Sequence, residues 1–239
     1  MRPPKLGRGA AVCLVLVSAG CAATPTTTSH TGASSASTIV ATSITTTTTA
    51  PPATTAPPPT TEAPTTTSPT LASGIQVGPG PQTTYTVQPQ AAPGSCHYAY
   101  SGPYPLPDPR CTPGAINPHV TQANISSTIC SAGYAESIRP PESVTEPEKI
   151  ASAAAYDYAG SLATAEYDHL IPLELGGDPN DPANLWVEPN DNPAATTTTN
   201  TKDSLEDRLH SIVCSDQMPL AAARQAIAAD WAASYGQLG

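Results

Sequence analysis

Tyr167-Asp168-His169-Leu170-Ile171-Pro172-Leu173 runs into Leu175-Gly176-Gly177, and Asn184-Leu185-Trp186 follows. An acidic residue directly before a His closes one apolar run, a Gly-Gly pair turns the chain, and an Asn fifteen residues after the His opens a second run. Strands are expected over Ala165 to Ile171 and Asn184 to Glu188. Between them, Asp178-Pro179-Asn180-Asp181-Pro182 is a turn sequence that no strand can hold. After an exposed loop over Asn190 to Asn200, a helix should begin near Asn200 or Thr201. It would carry Leu205, Leu209, Ile212 and Val213 on one face. A last helix over Pro219 to Tyr235 would bury Leu220, Ala223, Ile227 and Trp231.

Working outward, Cys96 to Arg139 is rich in Pro, Gly and Tyr and reads as an irregular, disulfide-stapled lead-in. Thr145 with Glu148 makes a capping box, Pro147 suits a first turn, and helix formers continue to Tyr158. The fold class is therefore α+β, with a hairpin and a helix at its centre and further helices on either side.

The order of elements from Glu166 to Cys214 resembles the HNH, or ββα-metal, nuclease finger, in which a hairpin and a helix hold one divalent metal against a general-base His. Cys111-Thr112-Pro113-Gly114, Thr128-Ile129-Cys130, Leu205-Glu206 through Cys214 and Ile227 to Trp231 also resemble a group of secreted bacterial HNH-like proteins. The resemblance implies metal-dependent phosphodiester hydrolysis, with nucleic acid as substrate and Mg²⁺ or Mn²⁺ as cofactor. It makes Asp168 a metal ligand, His169 the base, and Asn184 the residue that fixes the base loop. The third ligand belongs in the first turn of the following helix, where the family has His or Asn. This chain departs from that pattern and offers Asn200, Lys202 and Asp203. Asp203 is the best oxygen donor of the three, whereas Lys202 suits a phosphate.

The residues themselves support part of that chemistry. Imidazole titrates near neutral pH, as a base must, and hard oxygen donors suit Mg²⁺ or Mn²⁺. Neighbours in a strand point to opposite faces, so Asp168 and His169 can serve one site only if the strand bends, for which Pro172 and the Gly pair provide. Other readings are blander. Trp186 and Trp231 belong in the core, His97, His119 and His210 stand alone as surface residues, and Asp178 to Asp181 make a turn rather than a calcium loop. Glu166 and Asp168 share a strand face as in paired glycosidase carboxylates, a pairing common by chance, and no nucleophile elbow supports a Ser-His-Asp hydrolase.

The rest of the chain places this domain. Residues 1–20 read as a secretory signal, with Arg2, Lys5 and Arg8 before the short apolar segment Ala10 to Val17. The segment ends in Val17-Ser18-Ala19-Gly20-Cys21, which resembles a bacterial lipobox with Cys21 as the lipidated residue. Residues 21–94 form a stalk. Thr24 to Thr70 hold 20 Thr and 8 Pro with Glu62 as the only charge, too little apolar surface to offset the entropy of folding. Residues 95–239 are the expected folded domain, tethered by the lipid to the outer face of the cell membrane. Cys96, Cys111, Cys130 and Cys214 imply two disulfides with three possible pairings.

Charge argues against the nuclease reading. Without Arg2, Lys5 and Arg8, 6 of the 9 basic residues face 19 acidic ones, a formal charge of −13. Sequence-independent nucleic-acid affinity comes mainly from Lys and Arg at phosphates. The alternative is a non-catalytic binding or structural envelope lipoprotein that keeps the HNH-like scaffold.

Overall fold

The structure is a computed structural model that describes Leu71 and residues 74–238; the expected signal segment, Cys21 and the Thr-rich stretch to Thr70 lie outside the described residues. The architecture is mixed α and β, with three small two-stranded sheets, four α-helices and two disulfides among the described residues. No helix in this range is long and apolar enough to cross a membrane.

In chain order the elements are β1 (Gln76–Val77), β2 (Ala99–Ser101), β3 (Tyr104–Leu106), β4 (Ala115–Ile116), α1 (Tyr134–Ile138), α2 (Glu142–Ala155), β5 (Glu166–His169), β6 (Leu185–Glu188), α3 (Thr201–Cys214) and α4 (Leu220–Leu238). Packing reaches further upstream than the expected start at residue 95. Strand β1 pairs in parallel with β4, and Ile75 is buried in the core. Two-residue strands carry no alternation long enough to read, which is why this pairing is silent in the sequence.

Helix α2 begins at Glu142, directly after Pro141, three residues before the expected Thr145 cap. Pro141 accepts the first turn through its carbonyl, from Val144 at 2.8 Å and Thr145 at 3.2 Å. Glu148 is therefore not a capping partner. It is buried and accepts the Gln88 amide at 2.6 Å, holding the upstream segment against the helix.

Strands β5 and β6 form the central antiparallel hairpin, with Glu166 opposite Glu188, Tyr167 opposite Val187, Asp168 opposite Trp186, and His169 opposite Leu185. On one side, Leu170, Trp186 and Val187 pack with Ala153, Ala155 and Tyr156 of the α2 end. The larger cluster joins Ile171 and Leu175 to Leu205, Leu209 and Val213 of α3 and to Leu220, Ala223, Ile227 and Trp231 of α4. The apolar stripes expected on both C-terminal helices are thus the ones that close the core. Cys96 pairs with Cys111, and Cys130 with Cys214 across 84 residues, tying the lead-in to the end of α3.

Candidate functional site

The hairpin connection is a long, internally bonded loop. Ile171 leads into Pro172, one 3-10 turn over Leu173–Leu175 follows, and Gly176 takes the left-handed conformation at φ 70°. A Cβ at Gly177 would collide with the Ile171 carbonyl, so only glycine fits. Asn184 closes this loop with its whole amide. Its Oδ1 accepts from Ile171 at 3.0 Å and Ala115 at 3.3 Å, and its Nδ2 donates to the Ile171 and Asp178 carbonyls, both at 3.0 Å. Arg224 of α4 holds the other side, donating to Leu175 at 2.7 Å, Gly176 at 3.1 Å and Val120 at 3.2 Å. Asp178 accepts from the Asn180 and Asp181 amides and from Gly80, so the Asp178 to Asp181 stretch is a turn.

His169 is 7% exposed, and its Nε2 meets the Pro179 carbonyl at 3.0 Å. Burial pushes its pKa down to about 4, against the opposing pull of that carbonyl. The ring is therefore neutral near pH 7. Facing an acceptor, Nε2 carries the proton, and Nδ1 keeps the lone pair.

Asp168 looks elsewhere. Strand alternation puts Glu166 and Asp168 on one face of β5, with Trp186 and Glu188 beside them on β6. Trp186 Nε1 donates to Asp168 Oδ2 at 2.9 Å, and the same oxygen receives Lys202 Nζ at 2.8 Å. Lys202 enters from the first turn of α3, where Asn200 caps the helix by accepting from the Lys202 amide at 2.8 Å. Its side chain has no solvent exposure. The ammonium donates to Asp168, to the His169 carbonyl at 3.0 Å and to Glu206 one turn along. Three protons meet three acceptors. Burial alone would favour the neutral amine, but the carboxylates of Asp168, Glu206 and Glu188 raise its pKa above the ordinary lysine value.

The surrounding carboxyls pay for this arrangement in their own ionisation. Burial raises Glu206 to about 8 although Lys202 pulls it down, and burial with the charge of Asp168 raises Glu166 to about 7. Glu188 is 1% exposed, its pKa lies well above the usual range through burial and Asp168, and its Oε2 has no hydrogen-bond partner among the described residues.

The four residues expected to converge on a metal therefore separate. Asp203 serves the helix end instead, its Oδ2 accepting the Asn200 amide at 3.1 Å in a capping box. His169 turns to the loop carbonyl, Asn184 pins the loop, and Asp168 is held by an internal lysine. The ammonium takes the place beside Asp168 that a divalent ion requires, so the residues as arranged do not fit the implied metal. Lys202 lies three residues before Leu205, on the buried stripe of α3. That spacing was the available signal for its burial, and Glu188 was legible as the strand neighbour of Trp186.

Elsewhere, His210, expected to stand alone at the surface, donates from Nε2 to the Ile129 carbonyl at 2.9 Å, beside the Cys130–Cys214 bridge. The ligand atoms of these three residues lie within 4.8 Å of one another, yet the sulfurs are joined, and metals bind thiolates. A cavity of about 420 Å³ opens next to them, bordered by Tyr134, Arg139, Glu174 and His210. Comparison with family models, curated proteins and solved structures gave no match.

Proposed function

We propose that this chain is a non-catalytic binding or structural module of the cell envelope, built on an HNH-like hairpin-and-helix scaffold whose cation is its own Lys202. The reading rests on one observation: the Lys202 ammonium, fully buried, is bound by Asp168, Glu206 and the His169 carbonyl. Its protons are committed, so it has none left for a phosphate. The acidic balance of the chain points the same way, since it disfavours a polyanionic partner. In this reading Cys21 carries the lipid anchor and the Thr/Pro-rich segment is the tether to the membrane surface.

The test combines calorimetry of Mg²⁺ and Mn²⁺ with plasmid nicking by the same preparation. The expected outcome is neither stoichiometric binding nor metal-supported nicking. A second reading, phosphodiester hydrolysis, has its own support in the His169 tautomer, which leaves Nδ1 as an acceptor at the end of β5, beside a loop pinned by Asn184. Metal-dependent nicking that disappears in His169→Ala would carry that reading and overturn the first.

A further inference from the structure

Cys130, His210 and Cys214 meet away from the hairpin, and the fold holds them together by more than the bridge itself. His210 and Cys214 stand four residues apart on α3, so they share one face of the helix. Cys130 follows the 3-10 turn over Gln122–Ser127, its amide donating to the Ile125 carbonyl at 2.9 Å. The residues before the two cysteines, Ile129 and Val213, are both buried in the larger core cluster. These anchors keep the two backbones close when the sulfurs part. The ligand atoms of all three side chains lie within 4.8 Å of one another. With His210 Nε2 donating to the Ile129 carbonyl, Nδ1 keeps the lone pair that a metal takes. A backbone carbonyl on the other ring nitrogen is the usual support of a ligating imidazole. The two bridges also differ in access. Cys96 is 1% exposed, whereas Cys130, His210 and Cys214 are all half-buried, and Cys130 and His210 border the cavity of about 420 Å³.

We propose that the Cys130–Cys214 bridge masks a Zn²⁺ site that a small dithiol opens, after which Cys130, Cys214 and His210 bind one ion, with water or a small ligand from the cavity as the fourth donor. One thiolate of the dithiol attacks Cys130 Sγ from the cavity side, and Cys214 leaves as a thiolate. The second thiol then displaces Cys130 and closes the reductant into a cyclic disulfide, which carries away the two-electron oxidation. Zn²⁺ takes both sulfurs as thiolates, and their protons go to solvent. Zn–S bonds of about 2.3 Å set the sulfurs of a tetrahedral site about 3.8 Å apart, so the S–S bond must open before the ion enters. Two thiolates and an imidazole select Zn²⁺ over Mg²⁺ or Mn²⁺. The ion links the same two segments, 84 residues apart, and so restores the cross-link that reduction removes.

The experiment uses the full chain, either oxidised or reduced with dithiothreitol that is then removed without air, and titrates Zn²⁺ against a chromophoric chelator. The oxidised chain should take up no Zn²⁺. The reduced chain should bind one, and at a hundredfold excess over Kd its Tm should rise by about 5–10 °C. Zn²⁺ should block alkylation of Cys130 and Cys214 alone, which locates the ion without a variant. His210→Ala removes a ligand and should weaken binding about tenfold or more, since even the outer partners of a ligand are worth that much. A reduced chain that binds no Zn²⁺ overturns the proposal, as do Zn²⁺ uptake by the oxidised chain, protection that falls on Cys96 or Cys111, and unchanged affinity in His210→Ala. A chain that unfolds on reduction and refolds in Zn²⁺ supports it, and one that Zn²⁺ does not restore overturns it. None of these outcomes bears on the Mg²⁺ and Mn²⁺ test of the hairpin, so the two readings fail separately.

Discussion

Lys202 commits its entire ammonium to the interior, and the consequences can be measured one residue at a time. Lys202→Met leaves the buried Asp168 and Glu206 carboxyl groups without their cation. Breaking one partner of such a pair typically costs about 3–5 kcal/mol, and urea unfolding should show a loss of that size. Protonation adds a pH signature. Glu206 and Glu166 have folded pKa values raised to about 8 and about 7, so between the ordinary glutamate range and these values the folded state binds more protons than the unfolded one. Stability from these groups therefore falls as pH rises. His169, lowered to about 4, acts oppositely, and stability from it rises between about 4 and its ordinary value of 6.5. Above pH 6.5 only the carboxyl effect remains. Thermal melts should show Tm declining from pH 6.5 to 8, with a shallower decline in Glu206→Gln.

At the scale of elements, the hairpin loop is rigid because Asn184 satisfies four backbone groups with one side chain. Asn184→Ala would orphan buried donors and acceptors, and a loss of about 2–4 kcal/mol in chemical unfolding is expected. Asn184→Asp keeps the two accepted bonds but not the two donated ones, so it should also destabilise. The loop and its Gly pair were legible because turn residues and glycine carry steric instructions in the chain itself. The α3 and α4 stripes were legible through their spacing. The cation was not. Its spacing to Leu205 was the one hint, but a lysine between Thr201 and Asp203 reads as surface by default, and the tertiary meeting of α3 with Asp168 turns it inward. Asp203 was misread for the complementary reason, since its carboxylate was equally suited to a metal and to the cap it makes with Asn200.

Across the whole molecule, the two bridges and the upstream segment determine what holds the domain together. Four cysteines announce pairing but not partners, which only the folded arrangement supplies: Cys96 with Cys111 and Cys130 with Cys214. Replacing Cys130 and Cys214 together by Ser should lower stability by about 2–5 kcal/mol in urea unfolding. A chain beginning at Ser95 loses β1 and the buried Ile75, so its Tm should lie below that of one beginning at Leu71, although both ends carry the same four cysteines. What ties these scales together is the claim that the hairpin and α3 are joined by an internal ammonium rather than a metal. Proton-detected ¹H–¹⁵N spectroscopy of the lysine side chains tests it most directly. One exchange-protected ammonium resonance is expected at neutral pH, lost in Lys202→Met and not broadened by added Mn²⁺. No protected resonance, or one that Mn²⁺ broadens at stoichiometric concentration, would contradict it.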